Sequence, residues 1–472
     1  MKNIRLKVLS LLLILSGIAS ADVPKYVFYF IGDGMGIGQV QALRTYYKNI
    51  QDSVSALPHF YETPVSGFIT TFSANDDITD SAAAGTALAC GAKTRNGMIG
   101  MNADTLTLTS IAKKMKAAGR GVAIMSSVCL DDATPAAFYA TRPSRHHYYQ
   151  IARQGAESGF DFMAGAYFRD PYGVRSGTPG NVFAEYEAAG YTIVRGREGY
   201  EQAVIDKARR VLWLDSDTTT ENRIGYAIDG DNGDMTLPQM VHNGIDFLYK
   251  KYPKGFFMMA EGGAIDHMGH GNDPSGVLRE TIEFDAAVRE AIEFYKKHPR
   301  ETLIVITADH ETGGMSVGTI DSRHKVNMHY LPYATVSKGQ FGEDVRVLLS
   351  HRGKDVTWSE VASLMADKLG LGTRIPMTAG EEGHLMMVLQ EILDERSKVQ
   401  ETLYASYDEL TKEVYKIYSA KLGLGWTTVH HTGSPVPLFV MGAGADSFDN
   451  KGWLDNTDIP RIMARLCRLG WH

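Results

Sequence analysis

The chain has 472 residues, 44% of them hydrophobic and 22% charged, with 48 Lys and Arg against 55 Asp and Glu for a net charge of −7. That composition describes a folded protein with a broad core, and its acidic balance excludes one that holds nucleic acid through its overall field. Three cysteines, Cys90, Cys129 and Cys467, are too few for a disulfide framework and lack C-x-x-C spacing for metal, so buried thiols are expected.

The opening "MKNIRLKVLSLLLILSGIASA" carries Lys2, Arg5 and Lys7, then an apolar run, then the small-residue end Ala19-Ser20-Ala21. It reads as a secretory signal peptide over residues 1–21, too short in its apolar part to span a bilayer. No cysteine follows for lipid attachment, so a periplasmic or secreted protein without a membrane anchor is expected. Without this segment the balance is 45 Lys and Arg against 55 Asp and Glu, or −10.

Residues 25–31, "KYVFYFI", form a first buried strand, and the stretch "VFYFIGDGMGIGQ" then places glycines at 32, 34, 36 and 38. The G-x-G-x-x-G spacing of a dinucleotide loop is not met, because the third slot falls on Ile37 or Gln39, and Asp33 stands between the first two glycines. Further on, "DDITDSAAAGTALACGAKT" sets Thr79 and Asp80 before a small-residue helix that starts near Ser81. A serine in a first helical turn has free N–H groups and the positive dipole end around it, both favourable to phosphate. Taken alone, the Asp80–Ser81 pair is equally an N-cap. Helical patterns follow at 107–118, at 236–251 with Thr236 and Gln239 at capping-box spacing, and at 275–297 with one apolar stripe. Continuous apolar runs at 121–126, 256–260, 303–307 and 436–441 suit strands covered on both faces. Strand and helix alternate, so the fold class is α/β, a three-layer sandwich with a mostly parallel central sheet. Between 314 and 425 the pattern loosens: residues 315–350 look β-rich, "TWSEVASLMADKLG" has Thr357 and Glu360 at capping-box spacing, and 384–420 is one long amphipathic stretch. This segment is expected to be an inserted module, with 22–313 and 426–472 as the core.

Sites in open α/β sheets lie beyond the carboxyl ends of the strands. Asp33 follows the first run; Asp131, Asp132 and Thr134 follow 121–126; Glu261, Asp266, His267 and His270 follow 256–260; Asp309 and His310 follow 303–307; His430 and His431 precede the last run. Any one of these alone reads as a surface or capping residue. Five or more carboxylates converging on one edge repel strongly unless divalent cations neutralise them. Mixed Asp/His ligation suits zinc and oxygen-only sets with a hydroxyl suit magnesium, so Asp33 reads as a metal ligand.

The "GDGMG", "TDSAAAGTA", "EGGAID", "TADH" and "HTG" runs, in this order, resemble the alkaline phosphatase family over 25–160, 236–313 and 426–470. The resemblance implies a phosphomonoesterase with two Zn2+ and one Mg2+ acting on small-molecule phosphate monoesters, and a homodimer. By motif it implies that Ser81 is the nucleophile that becomes a phosphoserine. Asp33, Asp309 and His310 match one zinc site, and Asp266, His270 and His431 the other. Asp132, Thr134 and Glu261, sharing Asp33, match the magnesium site, and Arg145 the arginine that clamps phosphate. Asp80 and His267 are implied as neighbours of metal or phosphate. Some bacterial members have Lys at the position of His267 while Asp132 is the bacterial choice at its own, a mixed pairing that leaves the third metal open. The 314–425 module resembles the crown of larger members in placement only. Among rivals, sulfatases need C-x-P-x-R where "CGAKTR" has Ala92, and diesterases of this superfamily usually carry Thr in place of Ser81. A non-catalytic phosphate- or metal-binding protein would have lost a ligand or the nucleophile, and none is missing.

Overall fold

The computed structural model describes residues 23–50, 57–215, 223–230, 235–320, 322, 324–394, 399–449 and 452–471, so the expected signal peptide lies outside the described residues. Among those described, no helix is long and apolar enough to cross a membrane.

Ten strands form one sheet: β1 (Tyr26–Gly32), β2 (Val65–Thr70), β3 (Gly121–Ser126), β4 (Phe162–Gly165), β5 (Tyr191–Arg195), β6 (Arg210–Leu214), β7 (Phe256–Gly262), β8 (Thr302–Ala308), β9 (Val436–Gly442) and β10 (Trp453–Asp455). Their spatial order is β10-β2-β9-β8-β1-β7-β3-β4-β6-β5. All neighbours run parallel except β9, which is antiparallel to both β8 and β2.

The unbroken apolar runs of the central strands follow from burial on both faces. On β1, Tyr26, Phe28 and Phe30 meet Phe294 and Phe284 of the helix Pro274–Lys297. Tyr29, of opposite parity, meets Phe138, and its hydroxyl donates to Leu88 O in the other helical layer. One layer pairs Leu237–Lys251 with Pro274–Lys297; the other gathers Ser81–Cys90, Ile111–Ala117, Ala133–Ala136 and Asp458–Leu466. The Thr236–Gln239 capping box forms as the spacing predicts. The three cysteines are separate buried thiols.

Among the described residues, no strand of the large sheet comes from 314–425. The β-rich expectation for 315–350 does not hold. Beyond a two-residue bridge at Ser316–Val317 the segment folds as a 3-10 turn, Met328–Tyr333, and a helix, Lys338–Arg352. Ser337 caps that helix by accepting from Gln340 N at 3.1 Å, and Phe341 and Val345, four apart, are its buried pair. The capping box at Thr357 and Glu360 is present. The stretch 384–420 is two helices, Ala379–Leu393 and Glu409–Leu422, separated by a hairpin of Val399–Glu401 and Ser406–Asp408.

Candidate active site

The four central neighbours β8, β1, β7 and β3 deliver their carboxyl ends to one edge, in a register that pairs Ile31 with both Glu261 and Thr307 and Ser126 with Glu261. Asp33 follows β1 directly, Asp309 and His310 follow β8, and Glu261 is the second-last residue of β7. Helix Ala264–Gly271 then carries Asp266, His267 and His270. His431 arrives because β9 is antiparallel: the residues that lead into it lie at the edge where the parallel strands end. A two-residue bridge with Glu311–Thr312 fixes it there.

The glycines after β1 allow close backbone approach. Gly34 has φ +71°, and a Cβ on it would stand 2.9 Å from Asp266 Oδ1 and from Thr312 Oγ1. Its N–H donates to Asp309 Oδ1 at 3.1 Å. A side chain at Gly38 would strike Met315 O at 2.0 Å.

Two donor sets result. Asp33 Oδ1 and Asp309 Oδ2 lie 3.4 and 3.3 Å from His310 Nε2, and Ser81 Oγ lies 3.2 Å from the same nitrogen. In the second set, Asp266 Oδ2 is 3.4 Å from His270 Nε2, and Asp266 Oδ1 is 3.7 Å from His431 Nε2. The ring tautomers follow from the outer contacts. His270 Nδ1 donates to Val429 O at 2.6 Å and His431 Nδ1 to Thr79 O at 2.9 Å, so each ring in its neutral form presents an unprotonated Nε2. Those two nitrogens face each other at 3.1 Å, where two lone pairs repel. Thr312 Oγ1 donates to Asp266 Oδ1 and so accepts from His310 Nδ1 at 3.2 Å, which turns the third Nε2 inward as well.

Electrostatics point the same way. Asp33 is pushed well above the usual carboxylate range by burial and then by Asp309, Asp266 and Glu261. Burial likewise raises Glu261 and lifts Asp309 to about 7. Asp266 is held well below the range when no cation is bound: burial opposes its charge, but the protonated forms of His270, which Asp266 itself raises, and of His431 and His310 outweigh burial. Asp33 Oδ1, Glu261 Oε1 and Asp266 Oδ2 are buried acceptors without a hydrogen-bond donor. Orphaned oxygens beside inward-facing imidazole lone pairs form a donor set that divalent cations satisfy and protein donors here do not. Asp33, Asp309 and His310, and separately Asp266, His310 and His431, lie close enough to share an ion.

Ser81 opens the helix Ser81–Cys90 and is buried. The cap is Asp80, which accepts from Ala83 N at 2.9 Å, so the capping reading of this pair holds for Asp80 and leaves the Ser81 hydroxyl out of the cap. Asp80 also accepts from Arg145 Nη1 at 3.2 Å, while Arg145 Nη2 donates to Asp132 Oδ1 at 3.0 Å. The Arg145 fork is thereby aimed by two carboxylates.

The oxygen-rich third set is the least like its expectation. Thr134 Oγ1 donates to Asp309 Oδ2 at 3.4 Å, and Glu261 Oε2 accepts from Ser126 Oγ. Asp132 has both oxygens on arginines, Oδ1 on Arg145 and Oδ2 on Arg169 Nη2 at 2.5 Å. Burial opposes its charge, yet Arg169 and Arg145 hold it far below the carboxylate range. Burial lowers His267 to about 3; its ring lies tilted against Tyr404, and its Nδ1 is 3.4 Å from the Tyr226 hydroxyl. Three contributors escaped the sequence reading. Arg169 follows β4, whose four residues are too few to signal a strand; Thr312 follows the "ADHE" run; Tyr404 sits in a hairpin tip with no motif around it.

A mostly parallel α/β sheet whose one edge gathers three carboxylates, three imidazoles and a buried serine fits a hydrolase with a divalent-metal type of donor set. The chain belongs to the alkaline phosphatase family and is a phosphatase. The family model "Alkaline phosphatase" matches residues 24–166 and 161–469. Alkaline phosphatase 4 of Bacillus subtilis (strain 168) is 29% identical over 94% of this chain and 89% of its own length. Alkaline phosphatase of Escherichia coli (strain K12) is 30% identical over 61% of this chain and 71% of its own. Among solved structures, the cold-active alkaline phosphatase from the psychrophile Shewanella sp. superposes with a TM-score of 0.76 at 27% identity, covering 94% of this chain and 99% of that one. The Thermus thermophilus alkaline phosphatase gives 0.76 at 25%, covering 96% and 94%.

Proposed function

We propose that the chain hydrolyses phosphate monoesters through a phosphoserine at Ser81, with two zinc ions and one magnesium ion as cofactors. Asp33, Asp309 and His310 would hold one zinc, Asp266, His270 and His431 the other, and Glu261, Thr134 and Asp132 the magnesium. When bound, these ions supply Lewis acidity, neutralising the phosphate and both displaced and attacking oxygens. Arg145, aimed by Asp80 and Asp132, takes two non-bridging oxygens as a bidentate, charge-assisted clamp. Ser81 Oγ, at the positive end of its helix, forms the bond to phosphorus as the bond to the ester oxygen breaks, and water later cleaves the phosphoserine. Buried walls exclude bulk water from this exchange. Homodimerisation, a signal peptide ending at Ala21 and a modular 314–425 segment are part of the same reading.

The observation that carries it is the convergence of Ser81 Oγ, Asp33, Asp309 and His310 Nε2 within hydrogen-bond-like distances. The test is an assay of zinc- and magnesium-loaded protein on a phosphate monoester and its diester. A ratio favouring the monoester is expected, and one favouring the diester overturns the reading.

A further inference from the structure

Tyr404 approaches the donor sets from the 314–425 segment. It is one of two residues at the tip of the hairpin Val399–Asp408, a turn closed by Thr402 N on Ala405 O at 2.8 Å and Ala405 N on Thr402 Oγ1 at 3.1 Å. The other tip residue, Leu403, is exposed, whereas Tyr404 turns inward and is half-buried. The base of the hairpin is pinned. Tyr407 packs over Gly271, where a Cβ would lie 3.0 Å from its hydroxyl, and Lys338 Nζ sits 4.3 Å from the Tyr407 ring while donating to Gly271 O at 2.8 Å. Asp408 accepts from Thr411 N at 2.8 Å and starts the next helix. The tip is therefore held in place over the helix that carries Asp266, His267 and His270.

The Tyr404 ring lies 3.7 Å from the His267 ring, centroid to centroid, tilted by 35°, and meets the His270 ring edge-on at 5.4 Å. Ser81 lies on the Asp33–Asp309–His310 side. In-line displacement puts the departing oxygen opposite the nucleophile, on the Asp266–His270–His431 side, which Tyr404 flanks.

We propose that Tyr404 is a specificity-determining residue: its ring walls the leaving-group side and favours monoesters of flat aromatic alcohols over those of small aliphatic ones. The inference rests on the phosphatase reading. Aromatic stacking of this kind alters discrimination by about threefold to tenfold. The test compares kcat/KM for phenyl phosphate and glycerol phosphate in the wild type, Tyr404→Phe and Tyr404→Ala. The phenyl-to-glycerol ratio is expected to fall about fivefold in Tyr404→Ala and to stay at the wild-type value in Tyr404→Phe. Inhibition by phenylphosphonate relative to methylphosphonate, where no bond breaks, is expected to follow the same order. An unchanged ratio in Tyr404→Ala, or an equal fall in Tyr404→Phe, overturns it. Wild-type turnover of glycerol phosphate measures the phosphatase reading separately, before any ratio is taken.

Discussion

Single side chains in this site act through the partners that orient them. Ser81 is placed by a helix whose cap is its neighbour Asp80, and Asp80 in turn aims Arg145. Under the proposed function, replacing Ser81 with Ala removes the nucleophile and leaves those partners intact. Turnover in Ser81→Ala is expected to drop by on the order of a thousandfold or more while zinc content, read by elemental analysis, is unchanged. Retained turnover would take Ser81 out of its role. Arg169 presents a different case. It neutralises the Asp132 oxygen that Arg145 does not reach, so Arg169→Ala leaves a buried carboxylate beside Arg145, the proposed phosphate clamp, with one partner fewer. Inhibition by inorganic phosphate is expected to weaken about tenfold in that variant, and an unchanged inhibition constant would contradict the placement.

The strand-end loop is the element on which the site is built, and it explains which features the sequence reveals. Long strands buried on both faces announce themselves as apolar runs, so β1, β3, β7, β8 and β9 are legible with nearly their full bounds, and with them the acids and imidazoles that follow. Short or peripheral strands such as β2, β4, β5, β6 and β10 are not, which is why Arg169 after β4 is invisible from the sequence while Asp309 after β8 is plain. The direction of β9 is equally hidden, because an apolar run has no polarity; only its antiparallel pairing brings His431 to the edge. Hairpin tips carry no periodicity, so Tyr404 has no signal at all. Helix boundaries in the 314–425 segment were set by caps at Ser337, Thr378 and Asp408, local hydrogen bonds that an alternating apolar pattern obscures. At the first loop, Gly34→Ala imposes a side chain on a left-handed residue and drives it into Asp266 and Thr312. We expect weaker zinc retention on dialysis together with a stability loss of about 1–2 kcal/mol or more in denaturant unfolding. A variant that keeps its metal and its midpoint would show that the close approach is dispensable.

For the molecule as a whole, the crowded carboxylates are a destabilising charge cluster that bound cations would turn into a stabilising one. With cations removed by chelator, Asp309 titrates in the folded protein at about 7, above its unfolded value of 3.8, and Asp33 and Glu261 are also raised. Groups raised in this way bind more protons folded than unfolded, so their contribution is present at low pH and is lost as pH rises through the folded value. Chelated protein is therefore expected to lose thermal stability as pH rises from about 7 to about 8, where the lowered imidazoles of His267, His310 and His431 are neutral folded and unfolded alike, and the zinc-loaded protein to keep it; parallel profiles for the two would exclude the cations from this role. The central claim, that these clustered donors let the Ser81 hydroxyl attack a phosphate ester, is tested most directly by acid-quenching metal-loaded protein during turnover and mapping the phosphoryl group by mass spectrometry. The account predicts phosphate on Ser81 in loaded protein and none after chelation; label on another residue, or turnover with no labelled protein in a trapped variant, would contradict it.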